Sequence, residues 1–302
     1  MGLFFNALKK QKKEKSTSTS VLAALEKGEA DHAETKHGAP ATQPSGEQME
    51  QIPENESEAL STRGYMKKID KNLVSINNPY SMEADLFKVL RGKILFPVSN
   101  TPPRSILVTS AVPGDGKSFI ASNLAVNMAQ NIDESVLLVD CDLRRPSIHK
   151  NFGFNSVKGL SEHLSNHTKL GDLFLKTMVD KLTLLPAGKP PANPSEILSS
   201  AKMADLIDEL KTRYDDRYLI IDSPPPLMAP ETTAIAKRVD GIIVVIKCGS
   251  TPLDLLDELI ESLGKEKIIG AVINQYDMPS SRYYGYRKYS KYYKKAYSPE
   301  KV

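Results

Sequence analysis

Cysteine is nearly absent from this 302-residue chain: Cys141 and Cys248 are the only two, far apart in sequence. Neither a disulfide framework nor a CxxC metal or iron–sulfur site is available, and such sparse usage fits a reducing compartment. Long apolar runs are missing too. None approaches the roughly 18 residues of a membrane-spanning helix, and no apolar signal segment with a small-residue cleavage site opens the chain. The expected location is therefore cytoplasmic, with any membrane contact peripheral or made through a partner. The histidines His32, His37, His149, His163 and His167 show no metal-ligand spacing and no Ser-His-Asp grouping. No solenoid-length repeat is present.

Charge is present but segregated. The net value of +3 conceals opposed blocks. Residues 1–20 carry five Lys and one Glu, residues 21–61 nine acids and two Lys, and residues 276–302 seven bases and two acids. Between them, residues 62–275 hold 26 bases and 25 acids. A nearly neutral body with polarised tails argues against nucleic acid as a partner of the body and points to tails that meet something charged.

Three regions follow. Residues 1–61 are expected to be a disordered tail and linker, rich in Glu, Ser, Thr, Ala, Gly, Gln and Pro from residue 14 onward. Its first residues place Leu3, Phe4, Phe5 and Leu8 before a lysine run, which reads either as weak docking on an anionic membrane or as an ordinary tail. Asn6 departs from the myristoylation pattern. Residues 62–275 form the expected folded domain, and residues 276–302 a Tyr-rich basic tail.

From Ser81 to Pro97 the pattern is helical, with Met82, Leu86, Val89, Leu90 and Ile94 expected on the buried face. Apolar β-type runs then alternate with helical stretches. The strands are expected at 106–109, 136–139, 182–185, 218–221, 242–246 and 268–273. Helices are expected at 117–131, 160–175, 195–214, 232–237 and 253–263. Apolar runs without clean alternation, separated by helices, indicate a doubly wound α/β domain with a mostly parallel sheet covered on both faces.

Directly after the first strand stands Ala111-Val-Pro-Gly114-Asp115-Gly116-Lys117-Ser118. It is a P-loop in which Ala111 replaces the first glycine. Gly114, Asp115 and Gly116 would wrap phosphates, Lys117 would reach the β/γ-phosphates, and the Ser118 hydroxyl would take Mg²⁺. Two further strands end in acids, in Val139-Asp140-Cys-Asp142-Leu-Arg144-Arg145-Pro and in Ile221-Asp222-Ser-Pro-Pro. Ligands of open α/β sheets bind beyond the carboxyl ends of strands, so these carboxylates belong beside the phosphates.

The three segments are similar to the Walker A, A′ and B motifs of the bacterial tyrosine kinases, autokinases of exopolysaccharide synthesis and export. The segment Leu185-Pro-Ala-Gly-Lys-Pro-Pro-Ala-Asn-Pro-Ser-Glu-Ile-Leu198 and the Tyr-rich C-terminus also match. The resemblance implies the fold of the P-loop ATPases that include the partition and cell-division enzymes. It also implies ATP and Mg²⁺ as cofactors and phosphorylation of the chain's own tyrosines between subunits. Lys117 would take the phosphates, Ser118, Asp140 and Asp222 the metal, and Asp142 would orient or deprotonate the phenol. Arg144 and Arg145 would contact phosphates or a neighbouring subunit, or form a surface ion pair. Glu231 would be an acid at a helix N-terminus.

The family contacts its next subunit through E-x-x-R-x-x-R; here the helix before the P-loop offers Asp85, Lys88 and Arg91 instead. The resemblance also implies a separate membrane-embedded chain-length or copolymerase protein as partner, and a tyrosine phosphatase. Eight of twelve tyrosines fall between Tyr276 and Tyr297, interleaved with Lys and Arg. Such a tail could stack on single-stranded nucleic acid, lie on a membrane or serve as a set of acceptors. Beside a kinase-like site the last is favoured, with Tyr283, Tyr284, Tyr286, Tyr289, Tyr292, Tyr293 and Tyr297 as the acceptors. Two rivals stand beside this expectation, a partition-type ATPase and a nucleotide-binding regulator without transfer activity. Val112 stands where partition ATPases carry a second lysine.

Overall fold

The computed structural model describes residues 69–97, 101–130, 135–212 and 217–277. The chain divides into two units, Met1–Ser61 and Thr62–Val302, and all described residues lie in the second. The N-terminal apolar cluster, the expected linker and the acceptor tyrosines from Tyr283 onward lie outside the described residues.

Among the described residues, two helices, α1 (Val74–Asn77) and α2 (Met82–Leu95), precede the first strand. Then follow β1 (Ser105–Ser110), α3 (Lys117–Ala129), β2 (Ser135–Asp140), α4 (Ile148–Asn151) and α5 (Leu160–Asn166). A two-residue strand β3 (Leu175–Lys176) leads into β4 (Leu182–Leu185), α6 (Pro194–Leu198), α7 (Ala201–Thr212) and β5 (Arg217–Asp222). The described part closes with α8 (Glu231–Arg238), β6 (Gly241–Lys247), α9 (Leu253–Leu263) and β7 (Ile268–Asn274). The strands form one seven-stranded sheet in the order β3-β4-β2-β5-β1-β6-β7. Every pairing is parallel except β3 with β4.

Adjacent residues of a strand point to opposite faces, so a strand buried throughout must be covered on both. Ile106, Leu107 and Val108 of β1 are all fully buried. Helices α1, α2 and α3 pack on one another, and α8 packs on both α7 and α9. The expected doubly wound, mostly parallel sheet is what the chain forms.

Three local expectations are corrected. In α2 the buried face is Ala84, Phe87, Ile94 and Leu95, whereas Leu86 and Val89 are exposed. The edge-on contact of Phe87 with Phe119 of α3 sets that rotation, since an aromatic ring buries more apolar area than Leu86 or Val89 would. The helix expected over 195–214 is two helices. Ser199 and Ser200 turn their hydroxyls onto the carbonyls of Ser195 and Ile197, and Ser200 Oγ then caps the next helix through Met203 N. The stretch 160–175 holds α-helix only to Asn166, where His167 takes a left-handed conformation, φ 59°, and a separate 3-10 turn follows at Leu170–Leu173 before Leu175 enters β3.

Candidate active site

Strand register builds the site. Asp140, the last residue of β2, pairs with Asp222, the last residue of β5, and Asp222 pairs in turn with Val108 of β1. Both acids therefore stand at the carboxyl edge of the sheet, next to the loop that leaves β1. The order β2-β5-β1 puts this convergence where the chain changes direction across the sheet, the place at which open α/β sheets bind ligands.

That loop runs from Ala111 to Gly116 and opens α3 at Lys117. Gly114 (φ 87°) and Gly116 (φ 95°) adopt left-handed backbone that other residues resist. A Cβ on Gly116 would sit 2.1 Å from Asn274 Nδ2. Asn274, at the end of β7, donates that amide to the Asp115 carbonyl at 2.8 Å. Thr251 Oγ1 donates to Asp115 Oδ1 at 2.9 Å. Burial pushes the Asp115 carboxyl up from its ordinary range, with Thr251 acting against that shift. Ala111 is buried and has no need of a positive φ, so the missing first glycine leaves the turn intact.

Four charged groups meet beyond the strand ends. Ser118 Oγ donates to Asp222 Oδ2 at 2.5 Å, and Lys117 Nζ lies 3.1 Å from Asp142 Oδ2. Burial works against the charge on Lys117, but Asp222, Asp142 and Asp140 together outweigh it and hold the ammonium above its usual range. Asp140 is used differently. Its Oδ1 accepts from Asp142 N at 3.1 Å, and its Oδ2 accepts from Ser147 N and Ile148 N, both at 3.2 Å. The loop after β2 is thus wound around this carboxylate, whose Oδ2 has both lone pairs in use. Desolvation and the neighbouring Asp222 push Asp140 upward, to about 8, and desolvation raises Asp222 to about 6. Cys141, buried beside them, is held well above the ordinary thiol range by burial and the same carboxylates.

Arg144 is an ion-pair partner. Its Nη2 lies 3.0 Å from Glu231 Oε1 and 2.5 Å from Ser195 Oγ, and Ser195 Oγ donates to the same Glu231 oxygen at 3.2 Å. Glu231 opens α8 as expected, yet its carboxylate is buried. The three residues come from the loop after β2, the first turn of α6 and the start of α8. Arg145 is exposed and donates its backbone N–H to Asp142 Oδ1 at 3.0 Å. On α2, Lys88 pairs with Asp85 at 2.8 Å and Arg91 Nη1 donates to the Asn127 carbonyl of α3 at 2.8 Å.

The structure thus gathers Gly114, Asp115, Gly116, Lys117, Ser118, Asp140, Asp142 and Asp222 at one edge and leaves Asp85, Lys88 and Arg91 on α2. The sequence reading missed Thr251, Asn274 and Ser195. Of these, Asn274 carried a signal, since an Asn ending an apolar strand at the same sheet edge is placed to meet the loop.

The residues fit a divalent cation with a polyphosphate. Their donors are hard oxygens, and Asp222 Oδ1 is buried with no hydrogen-bond partner. Among the described residues no three His, Cys, Asp or Glu surround a metal by themselves. A cation here would complete its shell from Ser118, Asp222, water and phosphate, the mode that suits Mg²⁺.

A family model described as an AAA domain matches residues 104–273, which takes in every site residue except Asn274. Tyrosine-protein kinase YwqD of Bacillus subtilis (strain 168) is 32% identical over 221 residues, covering 72% of this chain and 92% of that protein. The chain belongs to the bacterial tyrosine kinases. Another such kinase, the putative tyrosine-protein kinase CapB of Staphylococcus aureus, is 33% identical, with 70% of this chain and 92% of CapB covered. The crystal structure of the chimerical protein CapA2B2 aligns with a TM-score of 0.63 at 32% identity, over 75% of this chain and 100% of that one. Like other bacterial tyrosine kinases the chain is a tyrosine-protein kinase with a P-loop for nucleotide. Among the described residues no helix is long and apolar enough to cross a membrane.

Proposed function

We propose that this kinase uses ATP and Mg²⁺ to phosphorylate its own C-terminal tyrosines, between subunits, in exopolysaccharide assembly. The observation that carries this reading is the meeting of Lys117, Ser118, Asp142 and Asp222 at the ends of β1, β2 and β5. Mg²⁺ held by Ser118 and Asp222 supplies charge neutralisation at the phosphates.

Every other step falls to the chain. Glycine-rich backbone and the first turn of α3 present N–H groups to the phosphates. Lys117 neutralises charge on the β/γ-oxygens as it moves toward the leaving group. A tyrosine oxygen forms its bond to the γ-phosphorus while the bond to the bridging oxygen breaks. ADP leaves with that electron pair, and the phenolic proton passes to Asp142. Asp140 fixes the loop that carries Asp142 and, with its remaining lone pair, would help to hold a bound metal.

The acceptors proposed are Tyr283, Tyr284, Tyr286, Tyr289, Tyr292, Tyr293 and Tyr297. The face of α2 that carries Asp85, Lys88 and Arg91 is proposed to meet a second copy. A membrane-embedded chain-length protein would bring the enzyme to the inner face of the membrane, and a tyrosine phosphatase would reverse the modification. The test is to incubate the pure chain with Mg²⁺ and ATP, with and without membranes carrying that partner, and to map phosphotyrosine by mass spectrometry. Lys117→Ala should abolish the modification with the fold intact; undiminished phosphotyrosine in that variant refutes the mechanism.

A further inference from the structure

Lys117, the lysine that phosphate needs, is already engaged. Its ammonium faces Asp142 at 3.1 Å, and the two side chains are only 12% and 9% exposed. Little water screens such a pair, so its attraction is stronger than that of a surface pair. Asp142 is itself held in place, because its other oxygen accepts from Arg145 N at 3.0 Å. An ammonium has three donors and could touch two anions at once. A polyphosphate drawn to Lys117 would then lie within a few ångströms of Asp142. Like charges that close, with little solvent between them, repel strongly. One of the two must leave.

We infer that Asp142 holds Lys117 until nucleotide arrives and that the polyphosphate displaces it, which frees the Asp142 carboxylate for the acceptor phenol only once the phosphate donor is in place. This rests on the kinase reading of the site. Two consequences follow. Asp142 opposes nucleotide binding while serving transfer, and productive binding is ordered, nucleotide before tyrosine.

The test is a double-mutant cycle on the full chain with ADP in the absence of metal, read by titration calorimetry. Asp142→Asn keeps the shape and the acceptor for Arg145 N but removes the charge. It should tighten ADP binding by about tenfold, the scale of one charge-assisted contact, and should lose tyrosine transfer in the presence of Mg²⁺ and ATP. In a Lys117→Ala background the same substitution should change affinity by less than about twofold. A gain of equal size in both backgrounds would mean plain charge repulsion and overturn the inference, as would unchanged or weaker binding in Asp142→Asn. A wild-type chain that binds no nucleotide would instead defeat the kinase reading itself. Should Asp142→Asn and Asp142→Ser both fail to fold, the wild-type chain still decides. With ¹³C-labelled aspartate, ADP must move a carboxyl resonance of the site, and a spectrum unmoved at saturation overturns the displacement.

Discussion

Replacing Arg144 by Met leaves Glu231 with a buried carboxylate and only the Ser195 hydroxyl to face it. Removing one partner from a fully buried ion pair typically costs about 3–5 kcal/mol, mostly through the charge left behind. The pair here is asymmetric, since the Glu231 side chain is 2% exposed and that of Arg144 43%. Water therefore screens the arginine end, and the retained Ser195 hydroxyl offsets part of the loss, which brings the expected cost down to about 2 kcal/mol. For a folded unit of some two hundred residues, about 2–4 °C of melting temperature is lost per kcal/mol, so Arg144→Met should melt about 4–8 °C below wild type. Differential scanning calorimetry on the full chain measures this, with Glu231→Gln as the second arm of a cycle. Once the glutamate is neutral, the arginine has little left to neutralise, and Arg144→Met should cost less than half as much in that background. A melting temperature within about 1 °C of wild type for Arg144→Met, or identical losses in both backgrounds, would show that the Arg144–Glu231–Ser195 contact holds nothing together.

Three other expectations are sharp. Asp140 and Asp222 keep their protons in the folded, metal-free chain to about 8 and about 6, while the unfolded chain releases them near the ordinary 3.8. Their contribution to stability is therefore present below that ordinary value and is lost as pH rises through the two raised ones. The urea midpoint should fall between about pH 5 and 8 without metal. Joint replacement by Asn should flatten the slope, and a midpoint that rises across that range in wild type but not in the Asn pair contradicts the sign. Gly116→Ala should abolish nucleotide binding, because it combines a left-handed backbone with a Cβ 2.1 Å from Asn274 Nδ2. Adding Asn274→Ala relieves the contact but not the backbone, so calorimetric titration should find binding recovered only in part. Lys88→Glu with Arg91→Glu should weaken self-association in sedimentation velocity while ADP still binds, and an unchanged profile with normal autophosphorylation would mark α2 as an ordinary solvated face.

What was legible in the sequence and what was not divides along physical lines. Strands β1, β2, β5 and β6 are short runs buried on both faces, and their composition alone is enough to mark them. The phosphate loop is a local motif, and local motifs survive in one dimension. The rotation of α2 does not. Leu86 and Val89 are as apolar as the residues that are buried, and the choice is made by Phe87 meeting Phe119 on another helix. The break in the helix after Leu198 depends on which way two serine hydroxyls turn. Strand order is the largest omission, since nothing local says that β5 lies between β1 and β2, and only that order sets Asp140 opposite Asp222. The Arg144–Glu231–Ser195 contact spans 87 and 36 residues of sequence and is likewise visible only once the sheet is assembled.

The bond from Asn274 to the phosphate loop also fixes where the tyrosine-rich tail is rooted. Strand β7 hands over to that tail at a residue whose side chain lies 2.8 Å from the Asp115 carbonyl. Fully extended chain advances at most about 3.3–3.6 Å per residue. Nine residues beyond this anchor, Tyr283 has a tether of about 30 Å, and Tyr297, at twenty-three residues, one of about 80 Å. Every proposed acceptor thus starts within chain length of the active site of its own subunit, at the high effective concentration that a short tether confers. Length alone does not favour a neighbour's site over the chain's own. If transfer runs between subunits, the direction in which β7 releases the chain has to make that choice.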